Sequence, residues 1–174
     1  AGNPSSTVTM TGGSITCKYF AIDGNNLQSA GATVNITGGT LTCDKEGVAI
    51  YWPMEGSLTI GGTAKVSGGT AIEAKMGTGD YNENEPQNGG SSPEGSALLF
   101  SAQMYGGVNT QYRTSPDLTV NIEGGTLKSV NGNAVTVYNT ESTDAQTAKV
   151  TVSGGTMEYP EGKAAIRSYT SGGN

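Results

Sequence analysis

The stretch VTMTGGSITC at residues 8–17 returns as VNITGGTLTC at residues 34–43, with its paired glycines and its cysteine at the same points. Three further stretches carry the same pattern: LTIGGTAKV from residue 58, VNIEGGTLKS from residue 120 and VTVSGGTMEY from residue 150. The five glycine pairs are separated by 26, 23, 63 and 30 residues. Such self-similarity predicts a repeat fold in which equivalent residues of successive units stack, with an insertion or a degenerate copy in the long gap.

Each copy alternates apolar and polar residues on both sides of its glycines. In the second copy Val34 and Ile36 precede the pair, and Leu41 and Cys43 follow it. A period of two predicts strands with one buried face, joined by a bend that small residues permit. A third strand is predicted where an apolar pair follows each copy, at Ala21-Ile22, Ala49-Ile50, Ala71-Ile72, Ala134-Val135 and Ala165-Ile166, and a further pair, Ala97-Leu98, falls inside the long gap.

These patterns predict one all-β domain over residues 1–174. We expect a single-stranded, right-handed parallel β-helix (solenoid) of about six coils with three strands per coil. The fourth coil is expected to be incomplete and to carry a polar loop insertion at about residues 77–95. An antiparallel sandwich is the alternative for short, evenly spaced strands, but it does not require matching residues at matching positions.

Composition excludes several classes of function. The net charge is −6 and the nine Lys and Arg residues are scattered, so we expect no nucleic-acid partner. We expect no membrane span, because no apolar run approaches about 18 residues. The chain has no His, which excludes imidazole bases and imidazole metal ligands. Cys17 and Cys43 are predicted to occupy neighbouring positions of one interior stack. Two buried thiols are the favoured interpretation, and a disulfide is the alternative, possible in separation although parallel in-register neighbours suit its torsions poorly.

Longer stretches carry a resemblance to a known family. They are ITGGTLTC, EGVAIYWPMEGSLTIGGTAKVSGGTAIEAKMG and GSALLFSAQMYGG leading into LTVNIEGGTLKS. These resemble the pectate-lyase-like right-handed β-helix segments of large surface proteins from Gram-positive gut bacteria, over about residues 6–170. The resemblance implies a segment of a longer parent chain with other domains, located extracellularly or attached to the cell wall, acting in adhesion or glycan binding. The calcium-assisted elimination of true pectate lyases is not implied, because their cluster of aspartates is absent from the sequence.

Candidate ligand contacts follow the apolar pairs. The next residue in each unit is expected to line one outer face, in the order Asp23, Tyr51, Glu73, Leu99, Thr136, Arg167. Carboxylate, phenol and guanidinium groups together suit hydrogen bonding to a sugar chain and stacking on it.

Tyr51, Glu73 and Arg167 are the favoured contacts, and Tyr51 is expected to be exposed. Trp52 either shares the buried face of Ile50 or is turned outward by the following turn. Tyr112, in the loop at 104–117, is a further candidate.

The 77–95 segment contains Asp80, Glu83 and Glu85, whose oxygen ligands make them weak candidates for calcium. No other cofactor is expected. A row of outward Thr and Asn residues is also predicted along the first strand, at Thr9, Asn35, Thr59, Asn121 and Thr151. Charged neighbours interrupt this row and disfavour ice binding.

The leading hypothesis is a non-catalytic extracellular module that binds glycan or a host surface along a lateral face. The first alternative is a structural spacer within a larger surface protein. The second is a polysaccharide lyase or hydrolase, for which Asp23 and Glu73 are the paired carboxylates to consider. Catalysis is disfavoured, because Ser-based chemistry has no base and nothing indicates a raised carboxyl pKa.

Overall fold

The computed structural model describes residues 6–18, 20–23, 32–43, 48–52, 56–69, 95–101, 117–139 and 147–170, and within these ranges the chain is all-β with no helix. No helix among these residues has the length and apolar character needed to cross a membrane. The strands within these ranges are β1 (Ser6–Cys17), β2 (Ile22–Asp23), β3 (Ala32–Cys43), β4 (Ile50–Trp52), β5 (Gly56–Ile60), β6 (Lys65–Ser67), β7 (Leu98–Ser101), β8 (Asp117–Lys128), β9 (Val135–Asn139), β10 (Thr147–Glu158) and β11 (Ile166–Thr170).

The strands form two parallel sheets, between which the chain alternates. The first sheet, sheet A, has the order β1-β3-β5-β8-β10, and β6 follows β5 end to end between the same two neighbours, β3 and β8. The second, sheet B, has the order β2-β4-β7-β9-β11. Residues at equivalent positions of the repeat are register partners, as the pairs Val8 with Val34 and Cys17 with Cys43 illustrate. The predicted in-register stacking is therefore confirmed for the described strands.

The described strands form five repeat units, and the prediction of about six is wrong. β5 pairs directly with β8, so no unit lies between the third and the fourth glycine-pair copies. β7 pairs with both β4 and β9, which makes Ala97-Leu98 the sheet B element of the third unit. The position predicted for Ala71-Ile72 is thus filled by β7. The insertion falls in the third unit rather than the fourth, between β6 and β7, and residues 70–94 within it lie outside the described residues.

The paired glycines disturb the register of sheet A but interrupt a strand in one unit only. In four of the five units one 12-residue strand runs through the pair, and separate strands occur only in the third unit, as β5 and β6. The prediction of three strands per coil is therefore wrong for the other four units, whose described residues form two strands each. The register shifts beside the glycines in the β1–β3 and β8–β10 pairs. The second glycine of every pair has a positive φ, between +56° and +93°. Residues that carry a side chain rarely adopt a positive φ, which explains why each unit repeats a glycine there.

The core lies between the two sheets and is apolar. Its side chains are the inward residues of each strand, which form one continuous cluster: Val34, Ile36, Leu41, Leu58, Ile60, Val66, Val120, Ile122 and Leu127 from sheet A, with Ile50, Trp52, Leu98, Phe100, Val135 and Val137 from sheet B. Full burial of one Leu or Ile side chain contributes roughly 1.5–3 kcal/mol. Stacking of like residues from successive units therefore supplies most of the stabilisation of the fold.

Candidate ligand-binding face

The residues that follow the apolar pairs do form a register column on sheet B. Asp23 pairs with Tyr51, which pairs with Leu99. Leu99 pairs with Thr136, and Thr136 with Arg167. We call these five residues the lateral column. The place predicted for Glu73, between Tyr51 and Leu99, does not exist because β4 and β7 are direct neighbours; Glu73 itself lies outside the described residues.

Tyr51 is buried, and the prediction that it is exposed is wrong. Only 3% of its surface is accessible, and it packs with Val48 and Phe20 in a small cluster separate from the main core. The rings of Phe20 and Tyr51 lie 5.7 Å apart at an interplanar angle of 32°. Phe20 and Val48 each stand two residues before the inward Ile of their unit. Their apolar character at this position was the signal that the outer side of sheet B is covered here.

Trp52 lies in the core, which resolves the two orientations left open by the sequence. Its side chain is fully buried in the main apolar cluster, on the same face as Ile50. Its indole Nε1 is buried and has no hydrogen-bond partner within the described structure. The ring is therefore unavailable for stacking on a sugar in this structure.

Polar side chains cover the lateral column at Thr136. Thr136 is buried, and its hydroxyl lies 2.7 Å from that of Ser96. The side-chain nitrogen of Asn133 donates to the Thr136 hydroxyl at 3.5 Å, and Asn133 Oδ1 accepts from the backbone N–H of Ala164 at 3.0 Å. These bonds tie neighbouring units together at a corner of the stack. Ser96 and Asn133 each stand two residues before the inward apolar residue of their unit, as Phe20 and Val48 do. The same position of the repeat therefore covers the lateral column at Tyr51 and at Thr136.

The remaining candidate residues lie either at the ends of the lateral column or outside the described residues. Arg167 is exposed on β11. Asp23 is placed by backbone register alone, at the opposite end of the column. Tyr112 and the calcium candidates Asp80, Glu83 and Glu85 lie outside the described residues, so those predictions stay predictions.

The outer side of sheet A is an accessible surface with a regular pattern. We call it the polar face: the outward side chains of β1, β3, β5, β6, β8 and β10. The predicted row of Thr and Asn forms one in-register column there, in which every side chain is partly or fully exposed: Thr9, Asn35, Thr59, Asn121 and Thr151. A parallel column lies two residues earlier on each strand: Thr7, Thr33, Ser57, Thr119 and Lys149.

Beyond the glycines the polar face gains charges of both signs. The column that begins with Thr16, Thr42 and Ser67 ends in Lys128 and Glu158, whose Nζ and Oε2 lie 3.2 Å apart in a half-exposed ion pair. Such an exposed pair contributes at most about 1 kcal/mol. The polar face is therefore mainly a hydroxyl and amide surface with a mixed-charge margin. Of these columns, the one from Thr9 to Thr151 was predicted from the sequence, where ice binding was the function considered for it.

Cys17 and Cys43 are register partners on adjacent strands, as predicted, and no disulfide joins them. The Cys43 thiol donates to the backbone oxygen of Lys18 at 3.0 Å, and the Cys17 thiol donates to that of Thr42 at 3.4 Å. Cys43 is buried, whereas Cys17, on the terminal strand β1, is only half-buried. The difference arises because Cys17 has a neighbouring strand on one side only.

We expect the two thiols to differ in reactivity. In the native protein a disulfide reagent should modify Cys17 more than about tenfold faster than Cys43, since Cys43 reacts only after local opening. Absorbance-detected titration of Cys17→Ser and Cys43→Ser variants measures each rate separately. In denaturant the two rates should become similar. Equal native rates would contradict the burial difference.

No group of three or more His, Cys, Asp or Glu side chains within the described ranges is arranged to hold a metal ion. No family model matches the chain, and no curated protein or solved structure gives a significant match.

Proposed function

We propose that the protein is a non-catalytic module that binds polysaccharide along the polar face of a right-handed parallel β-helix of five coils. The alternation of the chain between two parallel sheets supports the winding, because each return to a sheet adds the next neighbouring strand. A crossover between parallel neighbouring strands is right-handed in nearly all known cases, which supports the hand.

The observation that carries the binding proposal is the unbroken column from Thr9 to Thr151. Neighbouring strands lie about 4.8 Å apart, so this column presents a hydroxyl or amide group at each such step. Hydroxyls both donate and accept hydrogen bonds, and amides offer two donors and an acceptor. A polysaccharide offers hydroxyl groups at regular intervals along its chain. A regular column is therefore better suited to a repeating polymer than to a compact ligand.

The lateral column supports binding less well. Its central members Tyr51 and Thr136 are buried, which leaves Arg167 as the accessible side chain that the structure describes there. The ligand position is therefore proposed on sheet A rather than on sheet B, where the sequence suggested it. Lysines and glutamates occur together at the margin of the polar face, so neutral polysaccharides are the favoured class.

A polysaccharide array with neutral and acidic polymers tests the proposal. We expect the protein to retain at least one neutral polymer, and the triple variant Asn35→Ala, Thr59→Ala, Asn121→Ala to weaken that binding at least about tenfold, because it removes side-chain hydrogen bonds worth about 1 kcal/mol each. Glu161→Gln, at an exposed turn away from the polar face, is the matched control and should bind normally. Retention of the polymer by the triple variant would place the ligand elsewhere.

A structural spacer is the second candidate function. The continuous core of five stacked units favours it, because such a core makes a stiff element independent of any ligand. Absence of binding to every polymer on the array, together with intact folding, would favour the spacer.

We propose an extracellular or cell-wall location for either function, on the resemblance to surface-protein segments. Release of reducing or unsaturated ends from any polymer would instead revive the lyase or hydrolase alternative.

A further inference from the structure

The corner between β8 and β9 holds a dipeptide with a chemistry of its own. Asn131 and Gly132 lie there, between Lys128, the last residue of β8, and Val135, the first residue of β9. An asparagine loses its side-chain amide most readily when glycine follows it, because glycine has no side chain to hinder the approach of its own nitrogen. The corner belongs to the fourth unit, so the third and the fifth unit lie on either side of it.

Loss of the amide requires the backbone of this dipeptide to move. The nitrogen of Gly132 attacks Cγ of Asn131 and forms a new C–N bond, its proton is lost, and the side-chain nitrogen leaves as ammonia. Water then opens the resulting cyclic imide at either carbonyl, which gives aspartate or isoaspartate. Water is the only co-reactant. The Gly132 nitrogen must therefore reach attack distance of the side chain and must give up its proton.

Ser129 restrains the Gly132 nitrogen. The Gly132 N–H donates to Ser129 Oγ at 2.8 Å, and Ser129 Oγ donates to the backbone oxygen of Gly95 at 2.9 Å. Ser129 is 3% exposed and Gly132 is buried, whereas Asn131 is half-buried. A nitrogen that keeps its proton in a buried hydrogen bond neither attacks the side chain nor meets a base from solvent, because leaving the bond costs the desolvation of both groups.

Backbone hydrogen bonds fix the corner to both neighbouring units. The N–H of Ser129 donates to the Glu158 oxygen at 2.9 Å, and the N–H of Ala134 donates to the Ala164 oxygen at 3.2 Å. Toward the third unit, the N–H of Ala97 donates to the Ala134 oxygen at 3.0 Å. These bonds hold both ends of the corner in place, so its peptide groups change conformation only in a local opening.

We propose that Asn131 is a deamidation site that Ser129 protects while the corner is closed. Reaction takes place in the open corner and is irreversible. Isoaspartate adds a methylene group to the backbone between positions 131 and 132, so Gly132 no longer reaches Ser129 in the native geometry. The extent of modification therefore records how much time the corner spends open. This inference goes beyond polysaccharide binding and does not depend on it.

Peptide mass spectrometry after incubation of the folded protein at neutral pH tests the proposal. Individual peptides must be resolved, because the sequence holds a second Asn-Gly pair at Asn88-Gly89. We expect Asn131 to deamidate at least about tenfold more slowly in the folded wild-type protein than in the same protein in urea, because reaction requires local opening. Equal rates in the two states would overturn the proposal.

Removal of the Ser129 hydroxyl tests the protecting contact. Ser129→Ala should raise the rate at Asn131 in the folded protein at least about tenfold, because the Gly132 N–H loses its acceptor. Ser96→Ala is the matched control: it removes a buried hydroxyl that lies 2.7 Å from the Thr136 hydroxyl and leaves the Gly132 bond in place. Its rate should stay close to that of the wild type.

In urea the wild type and both variants should react alike, and circular dichroism establishes that each variant is folded before incubation. No acceleration by Ser129→Ala, or equal acceleration by Ser96→Ala, would contradict the role of Ser129. The comparison of folded and unfolded wild-type protein does not depend on either variant.

The modified protein tests the consequence for the corner. Ion-exchange chromatography separates chains that carry the additional carboxylate, and peptide analysis identifies the fraction modified at Asn131. We expect that fraction to unfold at a lower temperature than the unmodified protein, because the Gly132 bond to Ser129 is lost. An unchanged unfolding temperature would show that the corner accepts the longer backbone, against the proposed irreversible opening.

Discussion

Replacement of Gly38 by alanine is expected to destabilise the protein by about 3 kcal/mol, the upper part of the usual range for overpacking. The new methyl group would overlap the carbonyl oxygen of Thr11 on the neighbouring strand, and Gly38 itself is buried. The backbone at Thr11 cannot move away from the new methyl group without breaking the register of β1 against β3. Thermal unfolding followed by circular dichroism should show a midpoint lowered by several degrees.

Gly12→Ala is the control for Gly38→Ala, because it changes the same position of the repeat where no neighbour lies within 4 Å. Its unfolding midpoint should stay close to that of the wild type. A loss of stability as large as that of Gly38→Ala would mean that the glycine matters for a reason other than the approach of the preceding unit. The contact with Thr11 would then be the wrong explanation.

Leu41→Ala is expected to destabilise the protein by about 3–4 kcal/mol, within the range for a fully buried leucine truncated in a tight core. Leu41 is fully buried within one inward column, between Ile15 of the first unit and Val66 of the third. The cavity would have rigid neighbouring strands on both sides and would collapse little. The free energy of unfolding from urea titration measures the loss.

Ile15→Ala provides the matched control in the same column. Ile15 lies on the terminal strand and is 41% exposed, so truncation should cost about 1 kcal/mol or less. A large difference between the two variants would support a stack whose interior is tight and whose ends are open. Similar losses at both positions would indicate that the first unit is covered in solution, against the exposure seen here.

Sequence reasoning predicted the repeat, the inward residues and the parallel register because these follow from local alternation and from likeness between units. Val34, Ile36 and Leu41 are buried as the period of two predicted, and Cys17 pairs with Cys43 as their shared position in the phrase predicted. It failed on the unit count, since Ala71-Ile72 and Ala97-Leu98 match the third-strand pattern equally well. Only the strand pairing shows that β7, which begins at Leu98, is the neighbour of both β4 and β9.

The candidate site was harder to predict than the fold. Alternation correctly put Tyr51 on the outer side of sheet B, but it carries no information about what lies over that side. Phe20 comes from the preceding unit and covers the Tyr51 ring, a contact between residues far apart in sequence. The row from Thr9 to Thr151 was predictable from sequence, because outward positions of a repeat need no covering residue to define them.

The amino-acid sequence alone determined that this is an all-β chain of stacked units, in which paired glycines mark each bend and one face of each strand is buried. Those features repeat within every unit, so each copy confirms the others. The tertiary structure decided which unit carries the insertion and which outer face is open. These features depend on which strands become neighbours. Pairing between segments distant in sequence is set by packing between units, which the sequence of one unit does not specify.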